Sequence, residues 1–230
     1  MTTINGATAL VTGGQRGLGL ATVNELLAAG AAKVYATART PVPSDDPRVV
    51  PLPLEVTDQA SVDALVKAAG DVSIIVNNAG GGMRGPLLDK DIDDVKALFD
   101  VNVFGPLRVA KAFTPVLAAN GGGTLVDIHS VLSWVAGFGA YGATKAAIWS
   151  ITNSLRLELA PQGTRVTGVH VGYIDTDMTT GLDVPKHDAR DIARQIVAAI
   201  EEDEPEVLAD ELSRHFKSAL SGPVSGLSGR

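Results

Sequence analysis

Short apolar runs of strand length alternate along this chain with segments of helical spacing. The runs are almost continuously apolar, as in “ATALVT” at 7–12 and “AKVYATA” at 32–38, which is typical of strands buried on both faces. Repeated strand–helix units of this kind predict a parallel sheet with helices on both sides. Strands are predicted at 7–12, 32–38, 49–54, 71–80, 123–129, 165–172 and 206–209. Helices are predicted at 18–30, 59–69, 92–119, 141–160 and 188–202.

Length and composition narrow the class of protein further. The 230 residues show no linker, so we expect one α/β domain over 1–230, with a loose polar tail at 221–230. Absent cysteines fit a cytoplasmic location, and the net charge of −7 argues against nucleic-acid partners. The sequence has no basic residue before Arg16, so we expect no secretory signal. No apolar run reaches the ~18–20 residues that span a membrane.

A glycine-rich segment follows the first predicted strand and opens the first predicted helix. In “TGGQRGLG” at 12–19, Gly13, Gly17 and Gly19 have the spacing G-x-x-x-G-x-G, with Leu18 between the last two. Glycines allow a tight turn and a close approach of phosphate to the backbone, while a helix N-terminus offers free N–H groups. The segment therefore predicts a nucleotide site in a doubly wound, Rossmann-type fold. The alternative is an ordinary glycine-rich turn.

The end of the second predicted strand bears on the choice of nucleotide. An acidic side chain there would bind the ribose 2′-hydroxyl of NAD, but the chain has Ala38 and Arg39 instead. Arginine suits a 2′-phosphate, and Arg16 in the glycine loop supplies a second cation. We therefore expect NADP(H) to be preferred over NAD(H). The alternative is that both arginines are solvated surface residues.

Tyr141 and Lys145 lie four residues apart in “AYGATKAAI”, so a helix would place both side chains on one face. Alone this spacing is a weak signal. Together with Thr12-Gly13-x-x-x-Gly17-x-Gly19, “NNAG” at 77–80, Asn102 in “DVNVFG” and Ser130, it makes five motifs in order. On these motifs the chain resembles the short-chain dehydrogenase/reductase family along nearly its whole length.

The resemblance implies a role for each motif. Tyr141 would be the general acid/base toward a carbonyl or alcohol substrate, and Lys145 would lower the pKa of its phenol and bind the nicotinamide ribose. Ser130 would hold the substrate oxygen, and Asn102 would anchor a water for proton relay. The remaining residues implied in cofactor binding are Asn78, Ala79, Gly80, Gly172, Ile174 and Thr176.

Several positions depart from the family pattern. Ser130 lies eleven residues before Tyr141 rather than about thirteen, which leaves Ser133 as a rival. His129 replaces a second serine and is expected to pack or form hydrogen bonds. Glu55 stands where an aspartate near the adenine is usual, with the Val56 backbone still able to bind. Val171 replaces the proline before Gly172, which we expect to soften that turn.

Other classes of function fit less well. The sequence contains no G-x-S-x-G motif, which argues against a serine hydrolase, and no Gly-Lys pair, which excludes a P-loop. The four histidines do not have the spacing of metal ligands. A cofactor-binding regulator without turnover stays open. An apolar substrate wall is expected from Met83, Leu132, Trp134, Phe138, Tyr173 and Met178.

Two predicted helices, 103–119 and 141–160, carry more apolar residues than one sheet contact would bury. Related proteins pair these helices across a two-fold axis, so we expect a homodimer or homotetramer. The residues that suggest it are Phe104, Leu107, Phe113, Trp149, Ile151 and Leu155.

Overall fold

A computed structural model describes residues 3–228 of the chain. Seven strands form one sheet in the order β3-β2-β1-β4-β5-β6-β7, and every adjacent pair is parallel. The predicted doubly wound α/β fold is thus confirmed. The strands are β1 Thr8–Val11, β2 Lys33–Ala38, β3 Val49–Pro53, β4 Ile74–Asn77, β5 Gly123–Ile128, β6 Thr164–His170 and β7 Glu206–Leu208.

Helices cover both faces of this sheet. Helices α1 and α6 pack against each other over one face, and α2, α4 and α5 lie over the other. Strands β1 and β4 are almost wholly buried between the two layers, as their continuous apolar sequence predicts. The helices are α1 Gly17–Ala28, α2 Gln59–Ala68, α3 Ile92–Phe99, α4 Gly105–Ala119, α5 Gly139–Leu159, α6 Ala189–Glu202 and α7 Glu211–Ala219.

The order of the strands reverses direction at the centre of the sheet. The chain builds β1, β2 and β3 outward, then returns to place β4 on the opposite side of β1. Helices diverge from such a point, so a crevice opens beyond the carboxyl ends of β1 and β4. Both the glycine loop and the “NNAG” segment begin there.

A π-helical turn at Asp100–Phe104 separates α3 from α4 within the predicted helical region 92–119. The turn contains Asn102, whose side chain is buried. Single π turns inside helices are often found at functional sites.

Two features near the C-terminus differ from the expectations. Helix α7 was not predicted, although Asp210 caps it and Phe216 anchors it in a cluster with Trp134. The tail expected to be loose instead forms a helical turn at Val224–Leu227, and the Ala136 N–H donates to the Leu227 carbonyl. Gly229 and Arg230 of that tail lie outside the described residues.

The apolar surplus that suggested self-association is smaller than the sequence implies. Phe113 and Leu155 are buried in the core between the sheet and its helices. Phe104, 49% exposed, and Leu157, 77% exposed, are the large apolar side chains that α4, its preceding turn and α5 leave at the surface. Within residues 3–228, no helix is long and apolar enough to cross a membrane.

Candidate active site

The glycine loop is shaped so that side chains would not fit. Gly13 and Gly17 have positive φ angles of 63° and 51°, which glycine adopts without strain. A Cβ on Gly19 would lie 2.1 Å from the Gly13 carbonyl oxygen. Helix α1 begins at Gly17, and its N-cap residue, Arg16, forms no side-chain capping bond. The first N–H groups of α1 are therefore left without a capping side chain, as suits a phosphate site.

Thr12 and Asn78 join the two central strands at the point of reversal. The Thr12 hydroxyl accepts hydrogen bonds from the backbone N–H groups of Asn78 and Ala79 at 3.0 and 2.9 Å. The Asn78 amide donates in return to the carbonyls of Thr12 and Gly13. These bonds hold the “NNAG” segment beneath the glycine loop.

Tyr141 lies in the first turn of α5, beside the end of β5, where Ser130 begins the following loop. Burial raises the pKa of Tyr141 to about 12, while a hydrogen bond with the Ser130 side chain acts in the opposite direction. The Ser130 hydroxyl accepts from the Leu132 N–H at 3.2 Å, which fixes its place. The phenol is thus held in its protonated form.

Lys145 is buried one helical turn after Tyr141. Its Nζ donates to the Ile128 carbonyl at 2.8 Å and lies 5.7 Å from the centre of the Tyr141 ring. Burial lowers the pKa of Lys145 to about 8, against an opposing effect of Asp127. Burial of the phenol therefore outweighs any lowering of the Tyr141 pKa by Lys145, whose ammonium is directed at the Ile128 carbonyl.

Asn102 connects the π turn to both sides of the site. Its amide donates to the Gly81 carbonyl at 2.9 Å and to the Thr144 hydroxyl at 3.1 Å, and its oxygen accepts from the Gly81 N–H at 2.7 Å. Thr144 belongs to the same helical turn as Tyr141 and Lys145. The side chain of Asn102 therefore braces the loop at Gly81 against the first turns of α5.

Ser130 and Ser133 are both buried, and they differ in where their hydroxyls lie relative to Tyr141. Ser133 donates its hydroxyl proton to the Lys145 carbonyl at 3.1 Å, and Ser130 donates, at 3.4 Å, to the Val171 carbonyl. Ser130 instead stands at the strand end with its side chain toward Tyr141. The shortened loop between residues 130 and 141 thus still brings serine and tyrosine together.

The two arginines expected to bind a 2′-phosphate are both exposed, but they have different surroundings. Arg39 follows β2 and has no ion-pair partner among residues 3–228. Arg16 forms an exposed ion pair with Asp177, at 3.5 Å between Nη1 and Oδ2. Such a pair contributes about 0–1 kcal/mol, so the Arg16 side chain can leave it at little cost.

The predicted adenine side of the crevice is well braced. An oxygen of the Glu55 carboxylate accepts from the Thr57 N–H and hydroxyl at 3.1 and 2.8 Å, within its own loop. Val56 is buried, and its side chain lies where a Cβ on Gly105 would clash. Glu55 therefore shapes the loop that presents the Val56 backbone.

Asp210 supports the turn after β6 in place of the missing proline. Its buried carboxylate accepts hydrogen bonds from the Gly172 N–H and, at 2.7 Å, from the Ser213 N–H of α7. Further along, the Ile174 carbonyl accepts from the Thr179 hydroxyl, and the Thr176 methyl lies 3.1 Å from a Cβ built on Gly17. The brace on this turn thus comes from the N-cap of α7, a helix that the sequence did not predict, and the softening of the turn stays a prediction.

The expected apolar substrate wall is only partly formed. Trp134 is buried behind the site, stacked on His170 with ring centres 4.0 Å apart, and so belongs to the core. Leu132 and Phe138 pack against the same cluster. Met178, 48% exposed, stands over Gly82, and Arg84 donates to the Met178 and Thr180 carbonyls. The 81–88 and 173–187 segments therefore meet across the mouth of the crevice.

Sequence reasoning also missed a set of buried polar residues behind Ser130. Asp127, His129, Thr152 and His170 are each 2% exposed or less and are linked by hydrogen bonds. The expectation that His129 packs or forms hydrogen bonds is confirmed. A polar residue at alternate positions of a buried strand, as in “DIHS”, is the one sequence signal that could have suggested the set.

Comparisons with known proteins agree with this geometry. The profile of the short chain dehydrogenase family matches residues 7–187. An uncharacterized oxidoreductase of Staphylococcus epidermidis is 33% identical over 210 residues, covering 84% of this chain and 90% of its own. The chain belongs to the short-chain dehydrogenase family, a family of oxidoreductases that use nicotinamide cofactors.

Solved structures show the same relationship. A short chain dehydrogenase from Burkholderia cenocepacia in complex with NADP has a TM-score of 0.92 and 35% identity, with coverage of 98% of this chain and 97% of the other. A family member from Burkholderia phymatum in complex with NAD has a TM-score of 0.84 at 22% identity, with 96% of both chains covered, and shares the fold.

Proposed function

We propose that the protein transfers hydride between NADP(H) and a small carbonyl or alcohol substrate, with Tyr141 as general acid/base. The observation that carries the proposal is the meeting of Ser130, Tyr141 and buried Lys145 at the carboxyl edge of β5, beside the glycine loop. A structural role alone would not require a phenol, a hydroxyl and an ammonium at one sheet edge.

The chain's residues fit a dinucleotide. The cradle formed by Gly13, Gly17 and Gly19 has no room for a Cβ at Gly19 and presents the N-terminus of α1 to a pyrophosphate. Asn78, Ala79 and Gly80 would form the floor of the site, and Ile174 and Thr176 its opposite wall. When bound, the nicotinamide supplies or accepts the hydride.

In the reducing direction, Ser130 would donate a hydrogen bond to the carbonyl oxygen and place it beside Tyr141. Tyr141, held protonated by its burial, would give its proton to that oxygen as negative charge develops there. The Lys145 ammonium would then stabilise the phenolate left behind. Asn102 would hold a water through which Lys145 exchanges protons with solvent.

The preference for NADP(H) rests on the end of β2. No carboxylate follows this strand to bind a ribose 2′-hydroxyl, whereas Arg39 is exposed there without an ion-pair partner among the described residues. The NADP bound by the related Burkholderia cenocepacia enzyme supports the same assignment. Because cells usually keep this cofactor reduced, carbonyl reduction would be the favoured direction.

A cofactor-binding regulator without turnover is the competing function, and activity measurements separate the two. Purified protein is mixed with NADPH and a panel of small aldehydes and ketones, and loss of the reduced-nicotinamide absorbance is followed. We expect turnover that falls by at least ~10²-fold in Tyr141→Phe, the usual contribution of a general acid, with unchanged NADPH affinity by fluorescence titration.

Two results would count against catalysis by Tyr141. Tight NADPH binding without turnover on any carbonyl of the panel would favour the regulator. Near-normal turnover of Tyr141→Phe would remove the tyrosine from the mechanism while leaving an enzyme.

A further inference from the structure

A continuous line of buried groups runs from Asp127 on β5 to the backbone of Ser130, and we call it the Asp127–Ser130 chain. Asp127 Oδ2 lies 2.7 Å from the Thr152 hydroxyl, which lies 2.8 Å from His129 Nε2. His129 Nδ1 lies 3.1 Å from His170 Nε2, and His170 Nδ1 lies 3.3 Å from the Ser130 carbonyl oxygen. These four contacts have hydrogen-bond length.

The Asp127–Ser130 chain needs a definite number of protons for all of its hydrogen bonds to form. Each contact needs one proton between its two heavy atoms, so the chain needs four. The Thr152 hydroxyl supplies one, and each neutral imidazole supplies one. The Ser130 carbonyl at the far end can only accept. The fourth proton must therefore sit on the Asp127 carboxyl or be a second proton on one imidazole.

The Thr152 hydroxyl also lies 2.8 Å from the Ile148 carbonyl, which competes for its single proton. With the fourth proton on Asp127 and the Thr152 proton directed to His129, every bond from Asp127 to Ser130 points the same way. Asp127 donates to Thr152, Thr152 donates to His129 Nε2, His129 Nδ1–H donates to His170 Nε2, and His170 Nδ1–H donates to Ser130. An ionised Asp127 would turn Thr152 and both imidazoles around. The lone pair of His170 Nδ1 would then face the Ser130 carbonyl, and the last bond would be lost.

We propose that His129 and His170 are positioning residues for Ser130, and that the hydrogen bonds linking them are complete only while Asp127 carries a proton. This inference rests on the proposed function of Ser130. Ser130 is held by the donated His170 proton on its carbonyl and by the strand bonds of its neighbours to β6. Its hydroxyl, on the same residue, faces Tyr141.

The charged groups around the Asp127–Ser130 chain favour placing the fourth proton on the Asp127 carboxyl rather than on the imidazole of His129 or His170. Lys217 on α7 lies 5.3 Å from the centre of the Trp134 ring, and that ring stacks on His170. The Lys217 ammonium therefore repels a positive charge on the His170 imidazole. Glu206 on β7 is 3.7 Å from His170 Nε2 but is paired with Lys217 at 2.6 Å. Burial lowers the pKa of His170 to about 3 and that of His129 well below its usual range.

At Asp127, burial raises the pKa of the carboxyl. Hydrogen bonds from Thr152 and Asn77, and then the charges of Lys145 and Arg156 on α5, act in the opposite direction. Asn77 donates to Asp127 Oδ1 at 2.9 Å, a bond that a protonated acid also accepts. The remaining oxygen, Oδ2, is then free to carry the proton toward Thr152.

The first experiment measures the protonation of the histidines in the Asp127–Ser130 chain and does not depend on enzyme activity. Nitrogen-15 NMR of the imidazole rings distinguishes protons on Nδ1 from protons on Nε2, and the exposed His187 and His215 are identified by His187→Gln and His215→Gln. We expect His129 and His170 to be neutral with the proton on Nδ1, and the pattern to be unchanged in Asp127→Asn, whose amide replaces the protonated acid. A proton on His129 Nε2, or a change of tautomer in Asp127→Asn, would overturn the proposal.

The second experiment tests the positioning of Ser130. His170→Phe keeps the aromatic stack on Trp134 and removes the donor to the Ser130 carbonyl. We expect kcat to fall about twofold to tenfold, the effect of one ordinary hydrogen bond, with unchanged NADPH affinity. In a Ser130→Ala background the same substitution should have no further effect on kcat, because the residue it positions is gone.

Controls separate positioning from a merely structural role. Trp149→Phe, which contacts the same ring cluster without a bond to the chain, should lower Tm and leave kcat unchanged. Asp127→Asn should keep the kcat that Asp127→Leu loses. Equal kcat losses from His170→Phe with and without Ser130 would refute the positioning role. Absent turnover in the wild type would instead refute the proposed function, and the NMR result would still decide the proton count.

Discussion

The hydroxyls of Ser130 and Ser133 both donate to backbone carbonyls, so their positions relative to Tyr141 separate their expected roles. Ser133 donates to the Lys145 carbonyl, and Ser130 lies beside the Tyr141 phenol. We expect Ser130→Ala to lower kcat by roughly 10²-fold, as when one preorganised donor to a reacting oxygen is removed. Ser133→Ala should lower stability by about 1 kcal/mol and change kcat by less than about twofold. Steady-state kinetics and thermal melts of both variants test this, and a reversed order would move the site to Ser133.

Lys145 predicts a pH dependence with a definite sign. Its pKa of about 8 means that the ammonium is present at neutral pH and is lost as the pH rises above 8, well below the usual 10.5. Since the ammonium would stabilise the phenolate of Tyr141, kcat/KM for carbonyl reduction should fall with a midpoint near pH 8. In Lys145→Met the plateau should be lower and that midpoint should disappear. A midpoint that persists in this variant would assign it to another group.

Among the elements, the end of β2 and the start of α1 are the two that would choose the cofactor. A charge-assisted contact to phosphate contributes roughly 1.5–3 kcal/mol, which corresponds to a preference of about tenfold to a hundredfold. Ala38→Asp combined with Arg39→Ala adds repulsion toward a 2′-phosphate and gives a 2′-hydroxyl an acceptor. We expect the ratio of kcat/KM for NADPH over NADH to shrink or invert.

A matched control for this cofactor prediction is Arg190→Ala, which removes an exposed arginine paired with Glu25 on the face of α1 and α6. Its cofactor ratio should equal that of the wild type. If the double variant also keeps the wild-type ratio, Arg39 does not bind the phosphate, and the preference for NADP(H) has no support at this strand.

Helix α7 illustrates how an element outside the repeated strand–helix units can serve the site. It brings Lys217 over the tryptophans, and Asp210 at its N-terminus binds both its first turn and Gly172. The turn after β6, where a proline is usual in the family, is held here by Asp210, which follows the edge strand β7.

For the whole molecule, self-association stays a prediction, with less support than the sequence alone offered. Phe104, in the turn before α4, and Leu157, on α5, remain exposed, whereas Phe113 and Leu155 are core residues. We expect a homodimer or homotetramer at micromolar concentration by light scattering, and a shift toward monomer in a Phe104→Asp and Leu157→Asp double variant. A wild-type monomer at that concentration would contradict the prediction.

The sequence by itself determined the alternation of strands and helices, the glycine loop and the order of Ser130, Tyr141 and Lys145. These features depend on short-range rules, since apolar runs, glycine spacing and helical periodicity are written in neighbouring residues. Each could be located to within a few residues of its place in the structure.

Only the tertiary structure decided where the polar side chains point. Arg16 is paired with Asp177, Lys145 with the Ile128 carbonyl, and His129 with His170, which is 41 residues away. Parallel strands are joined by long crossovers, so residues in contact lie far apart in the sequence. Such contacts cannot be predicted from the spacing or composition of neighbouring residues. The protonation of Tyr141 and Lys145 follows from the same cause, because burial by distant elements, rather than their four-residue spacing, sets their pKa values.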